Sequence, residues 1–291
     1  MSVIISIIIP TFNRAGVIGA AIKSVREQTF QDWECIIVDD HSTDDTKHVI
    51  DAITREAPRF SYLSNARKKG APGARNTGLL AAVGEYVVFF DSDNTMHPEF
   101  LERVYAAIQQ KHVEVGSCFS SIIDIESGKR VDAFRWIGNG EVHGAIMRGK
   151  CYFDNSSTII KRQKLLDMGM LDEDCPSYQE WDTHIRLSRI ARYITVTEEL
   201  IDYYRGGEDT ISKSLKRAAA GQLFILEKNR TEYTKRYPLA YLKYCFFLYC
   251  RIRKLPIGED SASLLASYHR TVSGLTRLLV RMLYPLRRII E

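Results

Sequence analysis

Tyr86-Val87-Val88-Phe89-Phe90-Asp91-Ser92-Asp93-Asn94 is an apolar run that ends on two carboxylates. Aromatic and β-branched residues in unbroken succession predict a strand buried on both faces, as in a parallel sheet covered by helices. Asp91 and Asp93 alternate out of its end, so the sheet would deliver both acids to one edge.

The residues upstream repeat the pattern. Apolar runs at 4–9, 34–38, 59–63 and 86–90 predict strands, and stretches of helical periodicity at 17–28, 44–57, 72–83 and 98–110 predict helices. Ser42 or Thr43 is placed to cap the second helix, and Pro72 and Pro98 stand where a first helical turn tolerates a missing N–H. This βαβαβαβα order predicts an α/β fold with a mostly parallel central sheet flanked by helices.

Ligands of such sheets bind in the crevice at the carboxyl ends of the strands. There the chain carries Pro10-Thr11-Phe12-Asn13-Arg14, Asp39-Asp40-His41-Ser42 and Asp91-Ser92-Asp93-Asn94. Carboxylates that converge on one edge repel one another. A divalent cation, Mn2+ or Mg2+, resolves this by taking one or two of them together with phosphate oxygens. Asp91 and Asp93 fit that role. For Asp39 and Asp40 a turn-forming or capping role stands equally open.

The composition of the 291 residues, 45% hydrophobic and 26% charged, is that of a globular chain large enough to enclose a cleft. No Gly-x-Gly-x-x-Gly follows the first strand and no Gly-x-x-x-x-Gly-Lys-Ser/Thr occurs, which removes the main support for dinucleotide-dehydrogenase and P-loop readings. Cys35, Cys118, Cys151, Cys175, Cys245 and Cys250 are scattered, predicting buried thiols in a reducing compartment instead of a disulfide framework or a zinc site. The N-terminal apolar run stops at Pro10, too short for a membrane span and without the basic start of a signal peptide, and is expected to be a buried strand.

Four segments then stand in order: Ile7-Ile8-Ile9-Pro10-Thr11-Phe12-Asn13-Arg14, Val38-Asp39-Asp40-His41-Ser42-Thr43-Asp44, Gly73-Ala74-Arg75-Asn76-Thr77-Gly78, and Gly84-Glu85-Tyr86 leading into Asp91-Ser92-Asp93. Their order and spacing resemble the successive motifs of glycosyltransferase family 2. The resemblance implies a GT-A fold, with a Rossmann-like nucleotide-binding half at 1–110 and an acceptor half at 111–210, followed by a basic helical region at 211–291. It further implies inverting transfer of a sugar from a nucleotide-diphospho-sugar, with UDP the expected nucleotide. Pro10, Thr11 and Asp39 match positions that hold the nucleobase, with Asn13 beside them on the nucleotide-sugar side. Asp91 would approach the ribose and the metal, and Asp93 would coordinate the metal. Arg75 matches a conformational or phosphate-side contact, with a helix-surface ion pair equally open.

Inverting transfer requires a base to deprotonate the acceptor hydroxyl. Tyr178-Gln179-Glu180-Trp181-Asp182-Thr183-His184 resembles the family's Glu-Asp-Trp-Asp segment, with Glu180 in the place of the usual catalytic Asp and Gln179 where an acid is common. Glu180 is therefore expected to be the base. The extra methylene lengthens its reach, which keeps Asp182 as the second candidate. Trp181 either stacks on a sugar ring or packs into the core. Gly138-Asn139-Gly140 is a loop that either orders over the donor or simply connects, and Asn155-Ser156-Ser157-Thr158 falls where the family lines the acceptor side. Beyond Tyr203-Tyr204-Arg205, where many relatives carry a His, either Glu208 or Asp209 substitutes for it or that contact is absent.

Charge is uneven along the chain. Residues 205–291 hold 17 Lys and Arg against 7 Asp and Glu, a local +10, and the remainder carries −6. Helices are expected at 216–236 and 239–254, and over 270–290 a stripe of Leu275, Leu278, Leu279, Met282, Leu283, Leu286 and Ile290 lies opposite Arg270, Arg277, Arg281 and Arg288. Such a helix fits a membrane interface through 239–290, aided by the aromatic run 244–249, or packing on the catalytic domain or a second subunit. A membrane contact would place the protein in the cytoplasm, peripheral on the inner face of the cell membrane, with a glycan or lipid-linked glycan as acceptor. Two other classes are weighed. A metal-dependent nucleotidyltransferase would need a basic Gly-rich signature after the first strand, where Pro10-Thr11-Phe12-Asn13 is uncharged. A nucleic-acid-binding protein would not interleave its basic tail with leucine, so no nucleic-acid partner is expected.

Overall fold

The computed structural model describes residues 3–55, 57–206, 214–256 and 258–284. The chain divides into two compact units. One comprises Met1–Ile146, Lys150–Glu173 and Thr183–Gly207, the other Met147–Gly149, Asp174–Asp182 and Glu208–Glu291.

The first unit opens with the expected alternation: β1 (Ile5–Thr11), α1 (Ile18–Arg26), β2 (Trp33–Asp39), α2 (Thr46–Thr54), β3 (Phe60–Ser64), α3 (Ala71–Ala81) and β4 (Tyr86–Phe89). These four strands are parallel, in the order β3-β2-β1-β4. Every residue of β1 is buried, because helices cover both faces. Ile5, Ile7 and Ile9 join the core of Ile18, Ala21, Ile22 and Val25 on one side. On the other side Ile8 meets α3 so closely that a Cβ on Gly78 would stand 2.4 Å from Ile8 Cγ2. That packing explains the glycine without any appeal to backbone conformation. Gly78→Ala is expected to destabilise the protein by about 1–3 kcal/mol through overpacking, visible as a lower denaturant midpoint; an unchanged midpoint would show that the contact can relax.

Beyond β4 the sheet becomes mixed. β5 (Asn94–Met96), α4 (Phe100–Lys111), β6 (Val115–Asp124), β7 (Arg130–Phe134), α5 (His143–Met147), β8 (Thr158–Lys161), α6 (Arg162–Asp167), α7 (Gln179–Leu187) and β9 (Tyr193–Arg205) follow. β8 runs antiparallel between β4 and β6, β6 pairs parallel with β9, and β5 pairs antiparallel with β9. β6 and β7 form an antiparallel hairpin around Glu126-Ser127-Gly128. Gly138-Asn139-Gly140 is a pinned connector: Gly140 exchanges backbone hydrogen bonds with Tyr193, and Gly138 N donates to Thr195 Oγ1. Neither Ser42 nor Thr43 caps α2. That helix starts at Thr46, whose amide donates to Asp44, while the two hydroxyl residues bond to Asp39 and Asn13.

The second unit is helical: α8 (Leu215–Lys228), α9 (Arg230–Arg236), α10 (Pro238–Arg253), α11 (Glu259–Thr271) and α12 (Gly274–Leu283). Two single helices expected from the sequence are in fact pairs. The 216–236 helix breaks at Asn229, whose side-chain amide donates to the Ile225 carbonyl and so competes with helix continuation. The 270–290 helix breaks after Thr271, where Val272 is extended and Ser273 accepts from Thr276 N as a new N-cap. Arg270 therefore lies on α11, and Leu286, Arg288 and Ile290 lie outside the described residues, as do Glu208 and Asp209. The aromatic run 244–249 is also not a surface feature: Cys245, Phe246 and Leu248 are buried on α10. All six cysteines are buried and none is in a disulfide, and burial pushes the Cys151 thiol to about 11 and that of Cys245 to about 12. Among the described residues no helix is long and apolar enough to cross a membrane.

Candidate functional site

The sheet register sets the geometry at the carboxyl edge. Thr11 stands level with Asp39, and Asp39 with Ser64, so the first three strands end together. Phe90 N donates to Ile8 O, which brings the chain leaving β4 alongside the end of β1. Pro10 and Thr11 are buried at the end of β1, and Asn13, in the left-handed region at φ 51°, turns the chain toward the loop after β2. Its amide donates to Ser42 Oγ at 2.9 Å, and its Oδ1 accepts from Thr43 N at 2.8 Å.

Asp39 is buried and fully engaged. Its Oδ1 accepts from the Ser42 amide and hydroxyl at 2.9 and 2.6 Å, and its Oδ2 from Tyr62 OH at 2.7 Å. Burial, and then this bond to Asp39, push the Tyr62 phenol to about 12, so it remains a donor at neutral pH. Asp40 accepts from Asn65 Nδ2 at 2.6 Å and Gly70 N at 2.8 Å, tying the loop before α3 to β2. Both acids thus shape turns, the role that the bare sequence left open.

Arg75 emerges from α3, almost wholly buried, and Nη2 donates to Asp91 Oδ1 at 2.7 Å. A buried guanidinium facing a carboxylate at the strand ends is not a helix-surface ion pair. Asp91 N donates to Ser156 Oγ at 3.1 Å, and Asn94 Nδ2 reaches the same oxygen at 3.0 Å. Ser156 therefore pins the Asp91–Asn94 turn from the segment before β8, and the antiparallel pairing of β5 holds its far side.

Asp93 is left in a different state. Its side chain is 41% exposed, and Arg14 Nη2 stands 3.7 Å from Oδ2, beyond hydrogen-bonding reach. Partial burial and then the Asp91 carboxylate push its carboxyl above the ordinary carboxylate range. Two acids separated by one residue, of which Asp93 has its nearest cationic nitrogen 3.7 Å away, form a donor set that fits a divalent cation. Among the described residues no group of three or more His, Cys, Asp or Glu is gathered as for a metal ion; Asp91 and Asp93 would supply one or two ligands beside phosphate and water.

Asn76 has a purely architectural part that the motif by itself did not show. It donates to Leu171 O at 2.9 Å and Glu173 Oε1 at 2.8 Å and accepts from Leu171 N at 3.0 Å, with Arg67 also on Glu173. Asn76→Ala leaves these buried groups unpaired, and a loss of about 1–3 kcal/mol is expected in chemical unfolding; a wild-type midpoint would contradict the clamp.

The segment expected to hold the base begins α7 in the second unit. Tyr178, left-handed at φ 58°, precedes the helix, and Asp182 N donates to its carbonyl. Glu180 is half-buried. Asp182 is 1% exposed and ion-paired with Lys228 of α8 at 2.8 Å. Trp181 packs against the Tyr244 ring, centroids 4.8 Å apart, and edge-on to Tyr178. Lys228 is the residue the sequence did not single out; a lysine within a helix otherwise rich in apolar residues carries no local mark of its partner.

A mixed α/β sheet with acids gathered at its parallel carboxyl edge and helices appended is the architecture of GT-A nucleotide-sugar transferases. The model of glycosyl transferase family 2 matches residues 6–171, and the chain belongs to that family. Over 108 residues it is 41% identical to the GalNAc(5)-diNAcBac-PP-undecaprenol beta-1,3-glucosyltransferase of Campylobacter jejuni, an alignment spanning 37% of this chain and 34% of that protein. It is 26% identical over 276 residues to the amylovoran biosynthesis glycosyltransferase AmsB of Erwinia amylovora, covering 90% and 87% of the two chains. Among solved structures, Staphylococcus aureus TarS 1-349 in complex with UDP-GlcNAc superposes with a TM-score of 0.62 at 20% identity, over 91% of this chain and 71% of that one.

Proposed function

We propose that this protein transfers a sugar, with inversion, from a nucleoside-diphosphate sugar, expected to be a UDP-sugar, to a hydroxyl of a lipid-linked glycan in cell-surface polysaccharide synthesis. The observation that carries the donor side is the buried Arg75–Asp91 pair beside the undercompensated Asp93. The acceptor class is supported by the undecaprenol-linked acceptor in the name of the Campylobacter relative, and a lipid-linked acceptor would be met at the inner face of the cell membrane.

Pro10, Thr11, Asn13 and Asp39 would hold the nucleobase side of the donor, on loops tied together by Ser42 and Tyr62. Arg75 holds Asp91 in one orientation through a charge-assisted bond. Asp91 and Asp93 would hold the Mn2+ or Mg2+, which when bound stabilises the negative charge of the departing nucleoside diphosphate. Glu180, accessible on the first turn of α7, accepts the proton of the attacking hydroxyl. Asp182, held by Lys228, keeps that turn in place.

A donor panel with Mn2+ or Mg2+, read as released nucleoside diphosphate, tests the reading. Turnover of a UDP-sugar that stops on chelation is the expected result, and turnover indifferent to chelation would overturn the metal-assisted mechanism.

A further inference from the structure

The most apolar face of α12 is turned away from the protein. Leu275 is 70% exposed, Leu278 56%, Leu279 40% and Met282 66%, while Val280 on the other side is fully buried. At about 100° per residue these four side chains fall within a single arc of roughly 100°. A contiguous apolar face of this kind is uncommon on a monomer surface and marks an interaction site. The helix is held firmly enough to present it: Ser273 caps its start, and the Tyr284 ring meets Tyr249 of α10 at 5.2 Å.

The charge around the face says what covers it. Arg281 and, on α11, Arg270 are exposed, Arg277 is half-buried on α12, and no Asp or Glu occurs between Asp260 and Glu291. A symmetric contact with a second copy would bring these arginines against their own equivalents. An anionic lipid surface takes the apolar side chains among its acyl chains and the guanidinium groups at its headgroups.

We propose that the Leu275-Leu278-Leu279-Met282 face of α12, with Arg281 at its margin and the exposed Arg270 on the preceding helix α11, docks this protein on an anionic bilayer surface. This goes beyond the reading of sugar transfer and is measured without donor or acceptor, so either can fail alone.

The test is co-sedimentation of the full chain with phosphatidylcholine vesicles and with vesicles containing phosphatidylglycerol. The wild type should sediment with the anionic vesicles and remain in solution with the neutral ones. Leu278→Ser with Met282→Ser should lower the partition coefficient by more than about tenfold, and Arg270→Glu with Arg281→Glu should abolish the preference for anionic lipid. Because all four side chains face solvent, circular dichroism and the chemical-unfolding midpoint should match the wild type; a serine variant that misfolds is replaced by Leu275→Gln. Three results would overturn the proposal: no binding of the wild type to anionic vesicles, equal binding by the serine variant, or a dimer in sedimentation velocity that Leu278→Ser with Met282→Ser dissociates.

Discussion

Asp93→Ala is expected to lower nucleoside-diphosphate release by about 100-fold or more, with the fold intact. The magnitude follows from what is lost: a group that stabilises charge developing on the leaving phosphate contributes about 2.7–4 kcal/mol in comparable sites. Asp93 is the better probe of the two acids because Asp91 also satisfies buried Arg75, so Asp91→Ala would strand a guanidinium as well. The Asp93 side chain is 41% exposed, with the nearest Arg14 nitrogen 3.7 Å away, and its removal costs little stability. Activity that survives both Asp93→Ala and chelation would sink the metal-assisted mechanism, and a collapse of the circular dichroism spectrum would show that the residue is structural.

The second large effect separates Glu180 from Asp182. Glu180→Gln is expected to reduce kcat by about 10²–10⁴, the usual contribution of a general base, while leaving donor binding unchanged. Asp182→Asn is expected to act through stability instead, since it breaks the pair with Lys228. A fully buried pair broken on one side costs about 3–5 kcal/mol. Lys228 keeps 30% of its side chain in water, so a loss of about 2 kcal/mol is the better expectation. Comparing kcat with the unfolding midpoint for both variants decides the matter. A kcat collapse confined to Asp182→Asn, with a normal midpoint, would transfer the base to Asp182.

The placement of Asp39, Asp91 and Asp93 at the ends of the strands was legible because it depends on local chemistry. An apolar run that ends in Asp91-Ser92-Asp93 reads as a buried strand with acids at its mouth, and the boundaries of the first four strands and helices lie within about two to three residues of the expected ones. What stayed hidden depends on partners distant in sequence. Asn76 and Leu171 are 95 residues apart, and Asp91 and Ser156 65 apart. Nothing near Asn229 or Val272 separates a continuous helix from a broken one until a side-chain amide or a serine cap has the surrounding helices to work against.

By itself the sequence determined the parallel order of the first four strands, the gathering of Asp39, Asp91 and Asp93 at their carboxyl ends, and the amphipathic character of the last helix. These follow from residue periodicity, which acts over a turn of helix or a few residues of strand. Only the tertiary structure decided that Arg75 is buried against Asp91, that Asp39 is tied to Ser42 and Tyr62, that Asp182 is buried and paired with Lys228 while Glu180 is half-buried, and that the apolar face of α12 looks outward. Burial and pairing are properties of what surrounds a side chain, and packing alone brings those neighbours together.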